Sequence, residues 1–343
     1  MTEFLLEYGL FLTKSLTVLV FLLILLSAVA AMAVRQRRVG EQGRLEVRRL
    51  NDRIDDMRHL LMRHVLDGKR YRKEAKAEAR ARKKEGGADR RRVWVVRFQG
   101  DLQAHAVEHL RQEITAILSF AREGDEVVAC IESPGGMVHG YGLAASQLHR
   151  VRSRDGLKLT VAVDKVAASG GYLMACLGER ILAAPFALVG SIGVVAQIPN
   201  VHRLLKRNDI DFEVLTAGEY KRTLTVFGQN TEEGRAKFLE ELEDIHALFK
   251  EYVVEARPQL DVAKVATGEA WYGRRALELG LVDELLTSDA YLADACVEAD
   301  VLEVRWVEHR NPVERLMHQG AESFALAAER LWLRWRDRSS WTG

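Results

Sequence analysis

From Val93 onward the apolar residues fall into two alternating textures. VWVVRFQG (Val93 to Gly100) is apolar at most positions, which predicts a buried strand. Ala106 to Ala121 places apolar residues at helical spacing and predicts an amphipathic helix. EVVACIESPGG predicts a strand running into a turn, and Tyr141 to Val151 predicts another helix. LTVAVDKVAASGG then reads as a strand, a loop and a helix start, and DFEVL (Asp211 to Leu215) as one more strand. Strands alternating with helices imply an α/β domain over 93–300 with a largely parallel sheet. Such sheets carry their chemistry where strands turn into helices.

Upstream the texture differs. The 20 residues between Lys14 and Arg35 carry no charge, and about 20 apolar residues in a helix span a hydrocarbon core. A cleaved leader is the competing reading, because Ala28-Val29-Ala30 has the form of a cleavage site. The acidic start (Glu3, Glu7) and the length of the run favour a retained transmembrane anchor over 1–35. Arg35, Arg37 and Arg38 favour a cytoplasmic location for the remainder of the chain. Over 36–92 we expect a basic, charged helical stalk and linker. Val47, Leu50, Ile54, Met57 and Leu61 form a short coiled-coil-like stripe from near Arg44. KEAKAEARARKKEGGADRRR then reads as a solvated basic linker, broken at Gly86-Gly87 and suited to anionic lipid headgroups. No aromatic residue interrupts that linker, so nucleic acid is not an expected partner. A C-terminal extension over 301–343 reads as an amphipathic helix ending in Leu331, Trp332, Leu333 and Trp335. It fits either a membrane interface or a docked terminal helix.

Composition adds two constraints. The formal net charge of +1 over 343 residues hides a basic stretch from Arg35 to Arg92 and an acidic one from Thr231 to Glu303. Cys130, Cys176 and Cys296 form no C-x-x-C pair, which excludes a disulfide framework and a zinc site and leaves buried free thiols. We expect neither metal nor cofactor.

Two glycine-rich turns carry the candidate chemistry. Ser169, in AASGG after a strand, sits where a helix begins and backbone N–H groups favour negative charge. That suits a nucleophile whose attack creates an oxyanion, although a serine N-cap reads the same way. In ESPGG, Pro134 lacks an N–H, and an amide of Gly135 or Gly136 could converge with that of Gly170; a plain turn is the alternative. The serine needs a base. No histidine lies between Ser169 and His202. His202 and His246 are poor candidates, and His139 reads as a surface residue at a helix start. A lysine remains, and Lys221 in AGEYKR follows the expected strand DFEVL. Lysine is charged in water, with a pKa near 10.4, and acts as a base only where burial favours the neutral amine. From sequence alone, a lysine like Lys221 is more often a surface ion-pairing residue, and its local context does not choose.

AASGGYLMA, ESPGG, GSIGV (Gly190 to Val194) and AGEYKR are the motifs that stand out along the chain. Together with HGYGLAASQLHR and GEAWYGRRALELGLVDE they resemble the signal peptide peptidase A family of Ser-Lys proteases. The motifs span about Val93 to Leu286, and the serine and lysine lie 52 positions apart, as in the shorter bacterial members. The resemblance implies a ClpP/crotonase-like fold of strand-strand-helix units and a membrane-bound serine endopeptidase. Ser169 would be nucleophile, Lys221 general base, and Gly135 or Gly136 with Gly170 the oxyanion donors. Ser191 is similar to a hydroxyl that orients the lysine. The resemblance further implies a homo-oligomeric ring sharing the dyad between subunits and extended peptide substrates with small or apolar residues before the cut. It also implies a single-pass inner-membrane location in bacteria, with relatives working outside the cytoplasm, against the positive-inside rule. A crotonase-type acyl-CoA enzyme and a non-catalytic membrane scaffold are the competing functions.

Overall fold

The computed structural model describes residues 13–14, 16–19, 21, 43–85 and 90–308. Most of the expected anchor, Gly86-Gly87 and the stretch 309–343 lie outside the described residues. Among the described residues no helix is long and apolar enough to cross a membrane. The unit that carries the fold runs Leu45–Arg305.

Ten strands are described: β1 (Arg44–Arg49), β2 (Arg92–Gln99), β3 (Glu126–Glu132), β4 (Lys158–Val163), β5 (Val166–Ala168), β6 (Arg180–Ala183), β7 (Leu188–Gly190), β8 (Ala270–Tyr272), β9 (Glu284–Leu285) and β10 (Asp300–Val307). Seven form one sheet in the order β1-β10-β2-β3-β4-β6-β9, parallel from β10 to β9. The helices are α1 (Leu50–Val65), α2 (Gly68–Glu85), α3 (Val107–Phe120), α4 (Val138–Arg152), α5 (Gly170–Ala175), α6 (His202–Arg207), α7 (Glu232–Ala256), α8 (Val262–Val265), α9 (Gly273–Glu278) and α10 (Ser288–Glu298).

The pleat explains the nearly continuous apolar runs. Successive strand residues point to opposite faces, and both faces here are covered. Trp94, Val96 and Phe98 join one core with Leu110, Ile114 and Ile117 of α3. Val93 and Val95, which alternate with them in the chain, join a second core with Leu292 of α10. Ile114 is fully buried, so truncation to alanine there costs about 2–5 kcal/mol.

One upstream expectation changes. The segment near Arg44 does not open as a helix: it first adds β1 beside β10. RLEVRR alternates apolar and charged residues, the period of a half-exposed strand, and the edge of β10 offers its backbone groups. The chain turns helical only at Leu50, where buried Asn51 fastens it. The Asn51 amide donates to the carbonyls of Cys296 and Ala299, both at 2.9 Å, and its oxygen accepts the Val301 N–H at 2.8 Å. Past Asp67 the chain is again helical, as far as Glu85. α2 packs back on α1, tied by Arg58–Glu78 at 2.9 Å and Arg63–Tyr71 at 3.1 Å. Asp67 caps its start by accepting the N–H groups of Lys69 and Arg70.

Candidate active site

The site is built where three strands of the large sheet continue into a second, smaller layer. Ser133 follows β3, β5 follows β4, and β7 follows β6. In that layer Ser133 bridges Ala167 in parallel, β5 pairs with β7 in parallel, and β7 pairs with β8 antiparallel. The three motif turns SPGG, ASGG and GSIG therefore leave adjacent strands side by side. Ala168 stands opposite Gly190, so Ser169 and Ser191 each follow one member of a paired couple.

Ser169 has φ 51° and ψ −119°, a conformation that costs a residue with a Cβ on the order of 1–3 kcal/mol. The surroundings hold it there. Its N–H donates to the Gly190 carbonyl at 2.8 Å, and its own carbonyl accepts from Tyr172 and Leu173 at 2.9 and 3.0 Å. Ser191 is bent likewise, at φ 52°, with its N–H on the Glu269 carbonyl. Ser169 is half-buried, and among the described residues no side chain hydrogen-bonds its hydroxyl.

The SPGG turn lies against this serine. Gly135 has φ +91°, and a Cβ there would fall 2.7 Å from the Ser169 Cβ and 2.8 Å from the Gly170 nitrogen. The two turns are thus in direct contact. The two glycines of SPGG differ, however. The Gly135 N–H is buried and donates to Ser133 Oγ at 3.1 Å. The half-buried Gly136 N–H meets no acceptor among the described residues. Gly170 occupies the first position of α5, where an N–H has no acceptor within the helix.

The lysines divide as well. Lys165, the nearer to Ser169 in sequence, is bound to Glu132 at 2.8 Å. That hydrogen bond and charge raise its pKa and keep it an ammonium. Lys221 is exposed; its N–H closes a turn onto the Gly218 carbonyl at 3.2 Å. Its side chain has no hydrogen bond or ion pair among the described residues. Asp211–Leu215, expected as a strand, lies in no described strand. A strand needs a partner for its ladder, and this segment has none among the described residues. Between 195 and 227 in the chain, Val195, Phe212, Leu215, Tyr220 and Phe227 are exposed, Leu215 to 89%. None of the three histidines bonds Ser169 among the described residues. His139 is exposed at the start of α4, the His202 ring faces the Phe227 carbonyl at 3.3 Å, and His246 lies on α7 with a buried, unpaired Nε2.

Cys130 and Cys176 are buried, and Cys296 is partly so. Burial pushes the Cys130 thiol up to about 11 and the Cys176 thiol up to about 12, far from the thiolate a nucleophile requires. Sequence reasoning missed Tyr141, which it placed in a helix without a role. Tyr141 is fully buried, and its hydroxyl lies 2.6 Å from Ser133 Oγ. The available signal was a tyrosine on an apolar helix face, whose hydroxyl must find a partner once buried.

The description "Peptidase family S49 N-terminal" matches residues 3–148, and "Peptidase family S49" matches residues 152–302. The chain belongs to peptidase family S49. A Haemophilus influenzae protein named "Probable protease SohB" is 44% identical over 337 residues, covering 94% of this chain and 95% of that one. A Buchnera aphidicola protein of the same name is 52% identical over 227 residues, covering 66% and 67% of the two chains. A solved mutant of a membrane-bound stomatin-specific protease with a substrate peptide superposes at a TM-score of only 0.41 and 11% identity, over 67% of this chain and 97% of that one. So loose a likeness carries no argument about the site. S49 membership and the SohB relatives make the chain a serine peptidase.

Proposed function

We propose that the chain is a membrane-bound endopeptidase of ClpP/crotonase-like fold that cleaves extended peptides with Ser169 as nucleophile and Lys221 as general base. The observation that carries this reading is the Ser169 backbone, held at φ 51° between a strand and a helix with the SPGG turn against it. Strain of this kind persists where surrounding structure over-determines it, as at reactive sites. The neutral amine of Lys221 takes the Ser169 proton as Oγ attacks the scissile carbonyl carbon. The carbonyl oxygen, now negative, lies within reach of the Gly136 and Gly170 N–H groups. Collapse expels the amine, which takes the proton from the lysine, and water then cleaves the acyl-enzyme by the same route.

A lysine base must be desolvated, yet Lys221 is exposed in this chain, as are Leu215 and Tyr220 near it in the sequence. A second copy supplies the cover, in a homo-oligomeric ring where Ser169 of one subunit meets Lys221 of the next, oriented by Ser191. The substrate adds as a strand beside the glycine turns, with small or apolar residues before the cut. The apolar run 15–34 anchors the chain in the bacterial inner membrane, and the stalk carries the protease domain. A fluorophosphonate probe tests the reading: it should label the wild type and not Ser169→Ala, which should also lose hydrolysis. Labelling or near wild-type turnover by Ser169→Ala would overturn it.

A further inference from the structure

We infer that Tyr141 is a positioning residue that sets both oxyanion donors at once, its ring fixing Gly170 and its hydroxyl fixing the SPGG turn through Ser133. The inference rests on the reading of Ser169 as nucleophile. The hydroxyl half is a directed chain of hydrogen bonds. Tyr141 Oη donates to the Asp101 carbonyl at 2.8 Å, so its one proton is committed. At 2.6 Å from Tyr141 Oη, the Ser133 hydroxyl must therefore be the donor in that pair. Ser133 Oγ in turn accepts the Gly135 N–H at 3.1 Å. The next amide, that of Gly136, meets no acceptor among the described residues.

The ring half is steric. A Cβ on Gly170 would fall 2.3 Å from the Tyr141 ring, so ring and glycine backbone are in direct contact. Gly100 shows that the centre is built around this pair, since a Cβ there would fall 2.4 Å from Tyr141 Oη and 2.5 Å from Ser133 Oγ. Ser133 and Tyr141 are both fully buried. A buried polar chain of this kind is satisfied only in one arrangement, which suits donors that must be in place before charge develops.

The test uses the full chain and a quenched-fluorescence peptide that the wild type cleaves. Tyr141→Phe keeps the ring and deletes the hydroxyl; Ser133→Ala breaks the chain one link nearer the turn. Each should lower kcat by about 10-fold to 100-fold, the scale of a misplaced oxyanion donor, with KM within twofold. Because both act through one chain, the double variant should be no worse than the poorer single one. If Tyr141→Phe fails to fold, Ser133→Ala carries the test alone. An unchanged kcat, or a higher KM with kcat preserved, would overturn the inference. Ser169→Ala, run alongside, separates the two failures. Activity surviving in Ser169→Ala sinks the nucleophile, whereas its loss alongside fully active Tyr141→Phe and Ser133→Ala sinks only the role of Tyr141.

Discussion

The segment around Ser169 and the segment around Lys221 are opposites within one domain. The first is clamped: a strained serine, a glycine pressed against it, and a backbone whose hydrogen bonds go to β7 and the start of α5. The second is bare: a lysine without a side-chain partner among the described residues, in chain outside any described strand, with Leu215 and Val195 more than four-fifths exposed. The contrast teaches that one chain by itself fixes the backbone of the proposed nucleophile and leaves the proposed base exposed.

Mixing two dead variants breaks the contrast most visibly. Ser169→Ala and Lys221→Ala should each lose hydrolysis by about a thousandfold or more. Mixed and allowed to exchange subunits, they should recover activity at up to about one interface in four by random pairing. No recovery after exchange, verified by mass, would place both residues within one chain. Next in size, Leu215→Asp combined with Tyr220→Asp should shift sedimentation towards smaller species and lower activity about 10-fold to 100-fold, the loss expected when a base is no longer held in place. The domain's own melting should be unchanged, because neither residue belongs to its core. Melting well below wild type would show that the segment already packs within the monomer.

On the clamped side, Gly135→Ala forces a Cβ to within 2.7 Å of Ser169 at φ +91°. It should destabilise the domain by at least about 2 kcal/mol, lowering Tm by roughly 4–8 °C, and reduce activity with it. An unchanged Tm would mean the turn is not clamped. The smallest effect belongs to Lys165→Ala. Its exposed pair with Glu132 contributes little, so activity and Tm should stay at wild-type values. A large loss of activity would move the base from Lys221 to Lys165.

What could be read in the chain depends on how local the determining interactions are. Buried runs such as VWVVRF and the stripe of α3 announce strand and helix because pleat and helical period act over a few residues. The Ser169 and SPGG turns were legible because glycine beside proline, or after serine, sets the backbone's options locally. β1 was misread because an alternating charged hexamer becomes a strand only when it finds an edge, and Arg49 meets Asp300 across 251 positions. DFEVL failed the opposite way: its residues favour a strand, but the described chain gives it no partner.

The order of residues alone thus specifies the α/β pattern, the identity of the motif residues and their spacing. It leaves open which of Gly135 and Gly136 has a free amide, that Tyr141 joins both turns, and that Lys221 stands uncovered. Those depend on where Ser133, Gly100 and Tyr141 meet, and on which surfaces the finished core leaves in water. Hydrogen-bond direction and burial are properties of neighbours brought together from distant positions, and only the folded chain supplies those neighbours.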